Sequence, residues 1–450
     1  MRMYDPLFTT LEMAEVFSFS SFVGWMLEFE IALAEALEQT GVIPAGCSDS
    51  IRKVDPDALD CDAIARGGRS AGNLCIPFVK ILTEKVAEVD PVAAGYVHWG
   101  ATSQDVIDSA MMLQMKAALP LLEADLNKTC DGLVKMIRAN VDTVMSGRTW
   151  LQQGPPITLG LKVAGWLDAL HRHKVRLARV RSESIALQFG GAVGTLAALG
   201  GEGIAVTEFL ALKLGLPAPE MPWHTQRDRI VDIATTLGAL VGTLGKMARD
   251  VSLLMQTEVG EFLEPAGEGR GGSSTMPHKR NPVASAVMLS AAMRVPGLVS
   301  TMLSAMVQEH ERGVGGWHAE WETLTEIVRL TAGCLRCAEE IAEGAIVEVA
   351  AMQVDLDILR GVAMAEGVAF ALARRAGKAQ SHRIVEEISQ RALREKISMK
   401  DAIAGEPSIQ EHFTREELLL LLEPANYLGV HRMFIQRVLA KQTGGTHGAN

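Results

Sequence analysis

One apolar pattern, between about Thr225 and Glu258, limits what this chain can fold into more than any other feature. Ile230, Ile233, Leu237, Leu240, Leu244, Met247, Val251 and Leu254 recur at alternating steps of three and four residues, which lines one face of an α-helix over three heptads. Ala234, Val241, Ala248 and Met255 add a second row, so this helix is expected to be buried on much of its circumference. Gly238, Gly242 and Gly245 would let neighbours approach closely. A helix buried in that way needs long helices around it, and the sequence supplies them. One starts near Gln104, with Pro120 predicting a kink or break. A second follows a loop at 147–156 and carries Leu159, Val163, Trp166, Leu170, Leu177, Val180 and Leu187, with Arg172, Arg176 and Arg179 mainly outward. A third starts at Val283, with a kink expected at Pro296, and a fourth runs to about Glu343. No sustained alternation of β-branched residues marks a strand. The fold class expected is all-α, organised as a central long-helix bundle.

At 450 residues the chain exceeds one ordinary hydrophobic core. The division expected is an N-terminal helical domain over 1–100, the bundle over 101–345 and a C-terminal helical domain over 346–450. In the last of these, Thr414 and Glu417 have capping-box spacing, Pro424 breaks the chain, and a final helix is expected over 427–440. The tail from Gln442 is expected to be disordered.

Two short stretches carry chemistry. From Gly267 to Pro282 the chain reads GEGRGGSSTMPHKRNP. Its glycines permit a backbone that comes close to a ligand. Asn281 and Pro282 suit the start of a helix, whose free N–H groups and positive dipole end would form an anion site beside Lys279 and Arg280. The spacing GSSxMPxKxNP is too long and strict for an ordinary basic turn. The second stretch, HWGATSQD from His98 to Asp105, is another hydroxyl-rich helix start. There Thr102 and Asp105 approximate a capping box, and capping alone does not explain His98, Gly100 and Ser103.

The Gly267–Pro282 stretch resembles the signature of the fumarase/aspartase superfamily, and HWGATSQD matches the first of that superfamily's active-site segments. The resemblance covers nearly the whole chain. It implies three domains, a homotetramer whose central helices form a twenty-helix core, and active sites shared between subunits. In the superfamily lyases the first serine of the signature is the base that removes a proton beside a carboxylate. Ser273 matches it, with Lys279 and Asn281 placed to stabilise the dianionic intermediate. Ser274 and Met276 belong to the same loop. Thr102 and Ser103 would contact substrate, and His98 and His278 would be contacts or alternative proton donors.

The second segment departs from the lyase pattern. Arg148-Thr149 is followed by Trp150 where most of these lyases have histidine, and an indole exchanges no proton near neutral pH. An enzyme expelling an amine or hydroxide would suffer from losing that acid. A lactonising enzyme would not, because the substrate's own carboxylate is already ionised when it attacks the alkene. Finer resemblance, in RTWLQQ from Arg148, PWHTQRDR from Pro222 and EHER from Glu309, is to the bacterial 3-carboxymuconate cycloisomerases of that superfamily. This implies conversion of 3-carboxy-cis,cis-muconate to 4-carboxymuconolactone, with Ser273 protonating carbon. The alternatives are a fumarate-releasing lyase of the same fold and a non-catalytic structural relative. Arg148 and Arg312 would either fork substrate carboxylates or hold loops by salt bridges. Gln152, Gln153 and Gln226 would bind carboxylates or cap backbone.

The formal charge of −11 argues against nucleic acid as a partner and requires a locally positive pocket for a small tricarboxylate. Six cysteines, sparse and irregular, fit a reducing compartment, and Cys334 and Cys337 read as core thiols. His310-Glu311 is followed by Arg312, so no HExxH spacing arises, and neither metal nor cofactor is expected. The start of the chain has no apolar signal core. The uncharged stretch 184–201 is interrupted by Gly190, Gly191 and Gly194, so no membrane span is expected there and the location expected is cytoplasmic.

Overall fold

The computed structural model describes residues 3–265, 267, 271–272, 276 and 279–443. Five long helices dominate it: Ser103–Ala139, Leu159–Glu183, Asp228–Leu254, Val283–Ala305 and Gly316–Gly344. Contacts divide the chain into two compact units, one of residues 1–125, 173–242 and 290–336, the other of 126–172, 243–289 and 337–450. All five long helices contribute residues to both.

The Asp228–Leu254 helix carries the apolar rows expected of it. Every residue of the first row is buried, as are Ala234, Val241 and Ala248. Each large aliphatic side chain so buried contributes about 1.5–3 kcal/mol. The helix ends before Met255, which lies half-buried beyond it. At Gly238 a Cβ would stand 2.8 Å from a Val299 methyl, so the close approach expected of this glycine is present; Gly242 meets nothing within 4 Å. By length and composition alone, this helix and Val283–Ala305 could each cross a membrane; the first owes that composition to its buried rows.

The Ser103–Ala139 and Val283–Ala305 helices run through Pro120 and Pro296 without a break. An interior proline costs about 3 kcal/mol. Burial of Ala118, Leu119 and Leu122 beside Pro120, and of Val295 beside Pro296, offsets it. The Leu159–Glu183 helix buries the apolar stripe expected of it, although Leu187 lies buried in the segment that follows. In the first unit the Phe19–Gln39 helix starts where the Ser18 hydroxyl accepts from Ser21 N at 3.1 Å, and it buries Met26, Phe29, Leu33 and Leu37.

In the second unit, the loop expected over 147–156 is instead a β-hairpin. Strands Val144–Thr149 and Gln152–Thr158 pair antiparallel, with Thr149 opposite Gln152 and Arg148 opposite Gln153. Trp150 and Leu151 form the two-residue turn, at φ +53° and +64°. Such turns need positive φ at both central residues and are usually built from Asn-Gly. Here two bulky residues supply them, and Pro155 and Pro156 in the second strand mask it further. Toward the chain end, the Ala365–Ala376, Lys378–Glu395, Met399–Ala404 and Arg415–Leu422 helices enclose a core of Val368, Leu372, Val385, Ile388, Met399 and Ile403. The Thr414–Glu417 capping box is formed in full. The last helix, His431–Thr443, starts later than expected and reaches into the expected tail, where Gln442 bonds His171 and Asp131.

Candidate active site

In the first unit, the chain reaches the Ser103–Ala139 helix through His98 and Gly100, both at positive φ. A Cβ on Gly100 would lie 2.6 Å from Leu199 Cδ2, so only glycine fits this turn. The buried Glu30 carboxylate grips His98 twice, accepting its backbone N–H at 2.9 Å and meeting Nδ1 at 2.7 Å. Burial pulls the imidazole pKa down, but the Glu30 charge and hydrogen bond outweigh it and the pKa is raised. Nε2 has no partner among the described residues and is the edge left for proton exchange. Ser103 starts the helix and hydrogen-bonds the buried Cys75 thiol, whose pKa burial pushes well up.

Asp105 completes half of the expected capping box, accepting Thr102 N at 3.1 Å. It also accepts Gly190 N at 3.0 Å, Gly191 N at 2.9 Å and Gln188 Nε2 at 3.3 Å, and meets His224 Nε2 at 2.7 Å. The carboxylate is fully buried, so these donors are what make it tolerable. Arg312 donates through Nη2 to the Gly191 and Ala192 carbonyls at 3.1 and 3.2 Å. Its Nε is buried without a partner among the described residues, and burial lowers its pKa. Gln226 is exposed, whereas the next residue, Arg227, is buried completely. Arg227 forks Asp108 at 2.7 and 3.1 Å and meets Glu320 at 2.5 and 3.0 Å, with its guanidinium 4.9 Å from the centre of the Trp223 ring. None of Glu30, Gln188, His224, Arg227 or Glu320 was a candidate from sequence. Only the PWHTQRDR run hinted at two of them, His224 and Arg227.

The second unit holds the other candidates. Ser273, Ser274 and His278 lie outside the described residues. Met276 and Lys279 are exposed and joined by Lys279 N to Met276 O at 3.0 Å; Asn281 N donates to Gly271 O at 2.8 Å. The helix begins at Val283, and its first N–H groups are not open to an external anion as expected. Glu264 takes them: its carboxylate accepts Ala284 N at 2.9 Å and Ser285 N and Oγ, each at 2.7 Å. A buried internal carboxylate thus meets the helix dipole, and Arg280 is bonded to the Glu264 carbonyl at 3.0 Å.

Arg148 sits on the first hairpin strand and binds the buried Glu261 and Asp355 carboxylates. Gln153 Nε2 donates to the Asp355 carbonyl at 2.7 Å, and Gln152 is exposed. Trp150, at the turn, is 97% exposed. The candidates thus fall into two sets. His98, Thr102, Ser103, Gln226 and Arg312 belong to the first unit; Arg148, Trp150, Gln152, Gln153, Met276, Lys279 and Asn281 belong to the second.

Compared with known proteins, residues 9–297 match the family described as Lyase. The chain belongs to this family, the fumarase/aspartase superfamily. Residues 361–438 match the Adenylosuccinate lyase C-terminus family. The 3-carboxy-cis,cis-muconate cycloisomerase of Pseudomonas aeruginosa is 49% identical over 441 residues, covering 98% of this chain and 96% of its own. The crystal structure of the 3-carboxy-cis,cis-muconate lactonizing enzyme from Pseudomonas putida matches with a TM-score of 0.94 and 46% identity, over 99% of this chain and 100% of that one. The nitrosuccinate lyase of Streptomyces davaonensis is 39% identical over 433 residues, 93% of this chain and 90% of its own. The all-α architecture built on long helices is thus the family's fold.

Proposed function

We propose that this chain is a cycloisomerase that lactonises 3-carboxy-cis,cis-muconate to 4-carboxymuconolactone. The observation that carries the reading is near-complete alignment, at about half identity, with a cycloisomerase of that name. Trp150 agrees with it chemically, since a lactonising enzyme has no need of an acid there. One substrate carboxylate attacks the alkene, a C–O bond forms, and the displaced electron pair moves to the carbon beside another carboxylate. Ser273 delivers one proton to that carbon and regains it from solvent, while Lys279 and Asn281 stabilise the charge before protonation. His98 Nε2, with its raised pKa, is the second proton donor to consider. Thr102, Ser103, Gln226 and Arg312, with Gln152, Gln153, Ser274, Met276 and His278, would surround the tricarboxylate. Nothing in this sequence of steps calls for a metal or redox cofactor.

The same reading includes a cytoplasmic homotetramer with shared active sites and the three-domain division at about 100 and 345. Only a third of the most apolar stretch of the Val283–Ala305 helix is buried within the chain, and Met293 and Leu303 are exposed on it. Apolar helical surface of that kind supports burial against further copies. The test is direct: purified protein mixed with 3-carboxymuconate should consume the diene absorbance. Ser273→Ala should slow turnover by about a hundredfold or more, the scale of a positioned acid. Release of an unsaturated product from a succinyl-type substrate, with no lactonisation, would instead establish the elimination alternative.

A further inference from the structure

Arg148 has the residue type and sequence position to fork a substrate carboxylate, but its fork is given to the protein. Nη1 donates to Glu261 Oε2 at 2.8 Å and to the Ser146 carbonyl at 3.3 Å. Nη2 donates to Glu261 Oε1 at 2.9 Å and to Asp355 Oδ2 at 2.9 Å. Among the described residues, these contacts use all of the about five guanidinium N–H groups except that on Nε. Both carboxylates are buried, and Arg148 pairs directly with each of them. Burial pushes the Glu261 pKa up, against the pull of Arg148, and Asp355 adds to the rise. A further anion arriving here would meet two carboxylates already present.

The same contacts join three distant segments. Glu261 and Asp355 lie 113 and 207 residues from Arg148 in sequence. Gln153, opposite Arg148 across the hairpin, bonds the Asp355 carbonyl, and Glu348 N donates to the Glu261 carbonyl at 3.0 Å. Asp355 belongs to the Val349–Asp357 helix. The hairpin needs such a hold, because its turn places Trp150 and Leu151 at positive φ without the Asn or Gly that favours it. The signature stretch begins shortly after Glu261.

We infer that Arg148, Glu261 and Asp355 form a clamp that positions the hairpin carrying Trp150, Gln152 and Gln153 for the reaction. The three are positioning residues, and Arg148 is not a substrate ligand. The inference rests on the lactonisation reading for its kinetic arm alone.

The experiment uses the full-length Arg148→Lys, Glu261→Gln and Asp355→Asn variants, with two readouts. Amide hydrogen exchange over 144–158 should quicken at least about tenfold in each, as expected when local structure loosens. With 3-carboxymuconate, kcat should fall at least about tenfold while KM stays within about threefold, the pattern of a lost positioning interaction. Arg148→Lys combined with Glu261→Gln should be no worse than the poorer single variant. A rise in KM with kcat and hairpin exchange unchanged would make Arg148 a substrate ligand and overturn the clamp. Unchanged exchange in Asp355→Asn, which leaves the Arg148–Glu261 fork in place, would remove Asp355 from it. If the unaltered chain does not turn over 3-carboxymuconate, the functional reading fails, and the exchange data still decide the clamp.

Discussion

His98 Nδ1 lies 2.7 Å from Glu30 Oε1, and the other oxygen of that carboxylate accepts the His98 backbone N–H at 2.9 Å. One buried acid therefore fixes the imidazole ring and the unusual backbone that presents it. Glu30 and, more weakly, Asp105 raise the imidazole pKa against the opposing effect of burial. A group whose pKa is raised on folding adds stability that is complete below its unfolded value, near 6.5, and is lost as pH rises through the folded value. Glu30→Gln leaves the burial but removes the charge. The His98 pKa, followed by NMR, should drop below its wild-type value, and the loss of stability with rising pH should flatten. An unmoved His98 titration would mean that Glu30 does not set it.

A second pH dependence comes from the Arg227 cluster. Burial pushes Glu320 up to about 7, against the pull of Arg227 and Gln308. Between the usual value of 4.5 and about 7 the folded state then holds a proton that the unfolded state has released. Stability should fall as pH rises through that window, by up to about 3 kcal/mol. Glu320→Gln should remove this slope in urea unfolding measured at several pH values. Arg227→Ala acts differently. It leaves Asp108 and Glu320 uncompensated in the interior, which should cost about 3–5 kcal/mol.

Glu264 supports a third prediction. Its carboxylate satisfies two backbone donors and one hydroxyl at the start of the Val283–Ala305 helix. Glu264→Ala should destabilise the protein by about 1–3 kcal/mol, the range for a buried charged cap. Glu264→Gln, which keeps one acceptor but no charge, should fall between. A change of less than about 0.5 kcal/mol for the alanine variant, the range of a neutral surface substitution, would mean that solvent replaces the cap.

The long helices were legible because an apolar row at helical spacing has few other ways to be buried. The Asp228–Leu254 rows and the Thr414–Glu417 box are where that argument needed nothing but local sequence. The hairpin was not legible, because its turn is made by Trp150 and Leu151, and nothing local announces that surrounding contacts will hold them at positive φ. The acid partners were hidden for another reason. Glu30, Glu261, Glu264 and Asp355 belong to no motif that local sequence marks, and only the fold brings each to its partner. Sequence could mark Arg148 as important, but not which carboxylate it would face.

The turn itself can be tested for strain. A left-handed conformation costs a non-glycine residue roughly 1–2 kcal/mol, and Leu151 is 75% exposed, with little packing to lose. Leu151→Gly should therefore stabilise the hairpin, or at worst leave global stability unchanged, in thermal unfolding. A loss of more than about 1 kcal/mol would show that Leu151 makes contacts worth more than its strain.

Trp150 connects this local geometry to the reaction. Because its side chain is almost wholly exposed within the chain, Trp150→Phe and Trp150→His should each change unfolding free energy by no more than about 0.5 kcal/mol. Their effects on turnover should differ. The substrate's nucleophile is a carboxylate already ionised, so a histidine adds no proton transfer that the reaction needs. An apolar ring can still wall a flat diene and exclude water. Trp150→Phe should accordingly retain more kcat/KM than Trp150→His. Neither profile over about pH 6 to 9 should gain a limb, since that profile reports the essential acids and bases of the free enzyme. If the histidine variant were the faster of the two, with a new limb near the imidazole pKa, the site would need a second acid–base group after all. The substitution of tryptophan for histidine would then not mark the change from elimination to ring closure.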